Sequence, residues 1–190
     1  MRVAPVSASV RTTTTGATVW LTGLPSAGKT TLAFALADAL RETGRDVEIL
    51  DGDEIRTYLS AGLGFSREDR DTHVRRIGYV AELLARHGVL VLVPVIAPYA
   101  DTRDEVRARH AAQGTAHLQV HQSTPVEVCA DRDVKGLYAK AARGEISHMT
   151  GIDDPYEVPA DPDLRLDTST HDLQGSVSAL LDLLAGRNLL

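Results

Sequence analysis

Gly23-Leu24-Pro25-Ser26-Ala27-Gly28-Lys29-Thr30 stands between the apolar run Thr18-Val19-Trp20-Leu21 and the helix-like stretch Thr31-Leu32-Ala33-Phe34-Ala35-Leu36-Ala37. The eight residues satisfy G-x-x-x-x-G-K-[ST], and a strand before it with a helix after it is the setting in which this motif grips phosphate. A polyphosphate needs several donors converging on one small volume, and a glycine-bearing loop leaves backbone N–H groups open at a helix N-terminus. Lys29 adds a mobile charge for the β- and γ-phosphates, and the Thr30 hydroxyl is placed to ligate Mg²⁺. The alternative is a glycine-rich turn that merely precedes a helix. With the four fixed positions and both flanking elements present, the reading is a nucleotide-binding loop.

Outward from this loop, apolar runs that read as buried parallel strands alternate with helical patterns. Strands are expected near 17–22, 46–50, 89–96, 116–121 and 164–167. Helices are expected near 28–43, 53–60, 67–87, 102–113, 125–132 and 172–185. The pattern predicts an α/β fold with a five-stranded parallel sheet and helices on both faces. Such sheets bind ligands at the carboxyl ends of their strands. That places Asp51-Gly52-Asp53-Glu54-Ile55-Arg56, Ala97-Pro98-Tyr99 and Ser123-Thr124-Pro125 at the site end. Residues 133–160 break the alternation, being polar and carrying Gly136, Gly144 and Gly151. A segment this long without core patterning reads as a lid, about 135–157, whose closure would keep water from the nucleotide.

With 190 residues, 43% hydrophobic and 24% charged, the chain fits one domain, expected over 17–190 after a frayed N-terminal tail at 1–16. No apolar stretch approaches the ~20 residues that span a bilayer, so no membrane association is expected. The net charge of −6 argues against nonspecific nucleic-acid binding, so an anionic ligand must be held by local basic clusters. Cys129 is the single cysteine, which excludes an intrachain disulfide and fits a reducing, cytoplasmic setting.

The rest of the chain narrows the chemistry. Strand three runs into Val93-Pro94-Val95-Ile96-Ala97 without a magnesium-binding acid, and no Asn-Lys-x-Asp guanine signature occurs. The free carboxylates follow strand two, at Asp51 and Asp53. Phosphoryl transfer to a hydroxyl needs a group that accepts or orients the proton, and cations that offset charge on the transferring oxygens. Asp53 suits the first task, and Lys29 with Mg²⁺ suits the second. The alternative for the two acids is a strand-end turn with an N-capping aspartate. Arg56, Arg70, Arg75 and Arg76 form a basic cluster, of which Arg56 and Arg70 are better placed to grip sulfate or phosphate. A small polyanionic acceptor would account for them.

These residues, together with Leu63-Gly64-Phe65-Ser66, Asp69-Arg70, Arg75-Arg76-Ile77-Gly78, Arg132-Asp133-Val134-Lys135-Gly136-Leu137-Tyr138, Gly144-Glu145-Ile146 and Thr150-Gly151-Ile152-Asp153, resemble the adenylylsulfate kinases, a family of P-loop kinases. The resemblance covers residues 17–185. It implies phosphorylation of the 3′-hydroxyl of adenosine 5′-phosphosulfate (APS) by ATP, giving PAPS and ADP. It also implies a homodimer. By position, Ser26, Ala27, Gly28, Lys29, Thr30, Thr31 and Arg132 would hold ATP, Thr30 and Asp51 the Mg²⁺, and Asp53 would be the base, with Lys29 and Asp51 beside it. Arg56, Phe65, Arg70, His73, Ile96, Ala97, Lys135, Met149 and Thr150, with Asp51 and Asp53, would meet APS, Phe65 offering a stacking face to its adenine.

The chain departs from the family pattern at Glu54 and His73, where many members have Asn, at Met149, where many have Phe, and at Ala97, where Ser is usual. Alanine cannot form a phosphoserine intermediate, which favours direct in-line transfer. Glu54 would bring negative charge toward an anionic acceptor. Glu54, His73 and Met149 leave a second reading, a related phosphotransferase with a different small hydroxyl acceptor, and a third is a noncatalytic nucleotide sensor, against which the intact Lys29, Thr30, Asp51 and Asp53 stand.

Overall fold

Side-chain alternation along two strands decides how the sheet is covered. In β1 (Ala17–Gly23) and β3 (Leu90–Pro94), Val19, Leu21, Leu90 and Leu92 turn to one face while Trp20, Val91 and Val93 turn to the other. Both faces are apolar, as a parallel sheet buried on two sides requires. In the computed structural model, which describes residues 15–190, the first face packs on Leu32, Leu36 and Leu40 of α1 (Lys29–Glu42) and Leu180 and Leu184 of α7 (Leu173–Gly186). The second packs on Val74, Ile77 and Ala81 of α3 (Arg67–Arg86) and Val106 of α4 (Ala100–Ala112).

β2 (Val47–Ile49), β4 (Ala116–Gln122) and β5 (Leu164–Leu166) complete a five-stranded sheet of order β2-β3-β1-β4-β5, parallel throughout. β1 is therefore central, and the loop that leaves it opens at the middle of the carboxyl edge. The sequence expectation of fold class is met, and α2 (Gly52–Tyr58) and α5 (Val126–Arg132) also lie where periodicity put them. One element was not expected: α6 (Leu137–Ala142), inside the lid. Six residues are too few for a periodic signal to show.

The expected tail at 1–16 lies outside the described residues except for Thr15 and Gly16. These two join the body, since the Thr15 carbonyl accepts from Arg45 Nη2 and a Cβ at Gly16 would stand 1.9 Å from the Ala85 carbonyl oxygen. Among the described residues, no helix is long and apolar enough to cross a membrane.

Candidate active site

A cavity of about 500 Å³ opens along the carboxyl edge of the sheet. Its donor end is the loop after β1. Gly28 takes φ 91° at the start of α1, in the left-handed region that a side chain resists, and this turn lets the helix begin directly at Lys29. Lys29 Nζ donates to the carbonyls of Gly23 (2.9 Å) and Leu24 (2.7 Å), folded back along its own loop. Burial pushes the Lys29 pKa down to about 8, against the pull of nearby acids that include Asp53 and Asp51.

Thr30 Oγ1 donates to Asp51 Oδ2 at 2.8 Å, while Asp51 Oδ1 accepts from the Asp53 amide at 2.9 Å. The capping role weighed for Asp51 is thus real, and the same carboxylate reaches the phosphate loop with its other oxygen. Two hard oxygens at a helix start, one hydroxyl and one carboxylate, match what Mg²⁺ takes from proteins when phosphates and water fill its remaining positions.

Thr168, just past β5, was missing from the sequence reading. Its hydroxyl donates to the Ala27 carbonyl (3.1 Å), and Arg132 donates to the Thr168 hydroxyl and carbonyl at 2.7 and 2.8 Å. Arg132 therefore joins the donor end through Thr168. The strand-end rule applied to β5 would have found it.

The acceptor end is assembled from several elements. Arg56, Phe65, Arg70, His73, Ile96 and Ala97 all line the cavity, as do Asp51, Asp53 and Lys135. Arg56 donates to the Gly64 carbonyl (2.8 Å) and Arg70 Nε to the Phe65 carbonyl (2.9 Å), and both guanidinium groups lie over the Phe65 ring, 4.7 and 5.5 Å from its centre. Half of Phe65 is exposed, which leaves ring surface for a ligand. His73 Nδ1 is 2.9 Å from Ser60 Oγ, and burial, aided by the neighbouring Arg56 charge, pushes its pKa down to about 4. His73 is a neutral hydrogen-bonding group at physiological pH, not a third cation.

The lid reaches both ends of the cavity. Asp133 accepts from the amides of Tyr138 (3.0 Å) and Ala139 (2.9 Å), which starts α6, and Tyr138 donates from its hydroxyl to the Pro25 carbonyl at 3.1 Å. Gly151, at φ 88°, lies against Leu24 of the phosphate loop, where a Cβ would meet the Leu24 side chain at 2.6 Å. Ahead of α6, Lys135 Nζ pairs with Asp53 Oδ2.

Several residues singled out from the sequence lie off the cavity wall. Met149 and Thr150 are not on the cavity wall. The Asp153 carboxylate accepts from the amides of His148 (2.8 Å) and Met149 (2.6 Å), and this turn drives Met149 into an apolar cluster with Ala27, Cys129 and Tyr138 beneath the loop. Ala27 lies in the same cluster and supports the loop from below. Glu54 is exposed on α2 and is not on the cavity wall. Arg75 pairs with Glu105 on the surface (2.6 Å), and Arg76 caps the Leu59 carbonyl (2.6 Å).

A family model described as adenylylsulphate kinase matches residues 15–167. The chain belongs to the adenylylsulphate kinase family. It is 56% identical over 173 residues to an adenylyl-sulfate kinase of Chloroflexus aurantiacus, covering 91% of each chain. It is 54% identical over 167 residues to one of Rippkaea orientalis, covering 87% of this chain and 89% of that protein. Among solved structures, the Mycobacterium tuberculosis APS kinase in complex with AMPPNP and APS superposes with a TM-score of 0.88 at 46% identity, over 90% of this chain and 99% of that one. Family membership and cavity agree, since a phosphate-binding end and an arginine-lined end share one space.

Proposed function

We propose that this chain transfers the γ-phosphate of ATP to the 3′-hydroxyl of APS, giving PAPS and ADP, by direct in-line transfer. The observation that carries the reading is a single cavity with the Lys29–Thr30 loop at one end, Arg56, Phe65 and Arg70 at the other, and Asp53 between them. The bound pair in the M. tuberculosis relative, an ATP analogue with APS, supports the same division.

Lys29 leaves the Gly23 and Leu24 carbonyls for the phosphates of ATP, where its charge offsets that of the transferring oxygens. Thr30 Oγ1 and Asp51 Oδ2 would hold Mg²⁺, which supplies further charge neutralisation on the phosphate oxygens when bound. Asp53 accepts the proton of the attacking hydroxyl. For that, Lys135 must release Asp53, and the sulfate or phosphate of the acceptor gives Lys135 another anion to meet. Arg56 and Arg70 hold the acceptor's anionic groups and Phe65 stacks on its adenine. Ala97, in place of a serine, offers no hydroxyl for a phosphoenzyme.

The alternative of a different acceptor loses two of its supports, because Glu54 and Met149 are not on the cavity wall. It keeps His73. ADP release measured with APS beside other hydroxyl-bearing nucleotides decides between them. Turnover of APS at micromolar concentration is expected, and faster turnover of another acceptor overturns the reading. We further propose a cytoplasmic homodimer, for which the family resemblance and the single reduced cysteine are the support. A monomer mass in light scattering would remove the dimer.

A further inference from the structure

Arg103, on the first turns of α4, is only 1% exposed and lies outside the cavity. Its guanidinium reaches two separate stretches of main chain. Nη1 donates to the Ala97 carbonyl at 2.6 Å, and Nη2 donates to the Glu157 carbonyl at 2.5 Å. A rigid planar fork holds two carbonyls at the separation of its two nitrogens, whereas a lysine ammonium must draw both carbonyls to one nitrogen.

Both carbonyls belong to segments that matter to the acceptor end. Ala97 sits at φ 44°, a left-handed conformation that alanine adopts only where its surroundings hold it. Ile96, Ala97 and Pro98 line the cavity, so the shape of this turn is the shape of the wall. Glu157 closes the lid segment, and it is fastened to the same turn twice more: its amide donates to the Pro98 carbonyl (2.8 Å) and its carboxylate accepts from the Ala100 amide (2.6 Å). Next to it, the Tyr156 hydroxyl is 3.0 Å from Thr22 Oγ1, which donates to the Ile96 carbonyl at 2.5 Å. The Tyr156 ring also stacks on His121 of β4, 5.8 Å between centres.

We propose that Arg103 is a positioning residue for the acceptor: by joining Ala97 to Glu157 it fixes the Ile96–Pro98 wall and the far anchor of the lid as one unit. The near anchor is independent of it, because Arg132 is tied through Thr168 to the phosphate loop. Loss of Arg103 therefore loosens the acceptor wall and leaves the donor loop in place. This inference rests on the proposed transfer from ATP to APS.

The test compares KM for APS, KM for ATP and kcat in the full chain and in Arg103→Met, Arg103→Lys and Tyr156→Phe, with melting temperature measured alongside. In Arg103→Met, KM for APS is expected to rise about tenfold or more, since small displacements of a positioning wall are costly, while KM for ATP stays within about twofold. Arg103→Lys keeps the charge on one donor nitrogen and should recover part of the loss. Tyr156→Phe removes a single hydroxyl, keeps the ring stack, and should raise KM for APS by a few fold. If Arg103→Met does not fold, Arg103→Lys and Tyr156→Phe carry the same comparison. A lowered melting temperature with both KM values unchanged, or a rise in both by the same factor, overturns the positioning role. An unaltered chain that fails to turn over APS overturns the underlying function instead.

Discussion

Residues 23–30 are one contiguous loop with the helix it starts, buttressed from outside by Thr168, Tyr138 and Asp51, whereas the acceptor wall draws Arg56 from α2, Phe65 from the turn after it, Arg70 and His73 from α3, Ile96 and Ala97 from the end of β3, and Lys135 from the lid. The lining of the donor end is contiguous in sequence and that of the acceptor end is collective. A contiguous site concentrates its chemistry in few residues and fails when one of them is lost. A collective site can be weakened from outside its lining, as Arg103 illustrates, and each lining residue carries a smaller share.

Lys29→Ala should break the comparison most sharply. It removes the one mobile cation of the donor loop, so turnover should fall on the order of 10²–10³ and KM for ATP should rise with it. Steady-state kinetics in both substrates check this, and an unchanged KM for ATP would remove Lys29 from ground-state binding. Asp53→Asn separates chemistry from binding. The amide keeps the shape and cannot take a proton, so kcat should fall on the order of 10² with ATP affinity nearly unchanged. Retained turnover would place the base elsewhere.

Phe65→Leu probes the collective end alone. An aromatic stack on a base contributes about 1–3 kcal/mol, so KM for APS should rise about tenfold while KM for ATP stays level. A parallel rise in both would show that the two ends are coupled through the lid. Lys135, paired with Asp53 and adjacent to α6, is the residue through which that coupling would run.

The same contrast explains what could be read from the chain itself. The donor loop is written in eight consecutive residues, so its position, its helix and its strand follow from the motif and the periodicity around it. Asp51 and Asp53 could be read because they end a strand. The burial of Met149 and Thr150 off the cavity wall could not be read for the opposite reason. Their location depends on the Asp153 turn and on the apolar space between Ala27, Cys129 and Tyr138, none of which is a local pattern. Asp53 lines the cavity and its neighbour Glu54 does not, a difference of position on α2 that is invisible in the residue type. Arg103 gave no signal at all. A buried arginine that binds two carbonyls looks, in sequence, like any charge on a helix.

Titration offers the mildest way to sharpen the comparison, because the two ends carry groups shifted to different pH ranges. Lys29, at about 8, is charged below that pH and neutral above it, so phosphate attraction in the free enzyme is present at pH 7 and is lost as pH rises through 8. Over pH 7 to 8.5, kcat/KM for ATP should fall about fourfold, the loss expected for one essential proton with that pKa. His73 sits at about 4 and is already neutral throughout this range. Its burial disfavours the cation, so no inflection from His73 should enter kcat/KM for APS between pH 5.5 and 8.5 when ATP is saturating. His73→Asn, measured over the same range, should leave the pH profile for APS unchanged. An inflection near pH 6.5 that disappears in the variant would show His73 to be solvated and titrating, and the acceptor end to be more open than the contacts of Arg56, Arg70 and the lid imply.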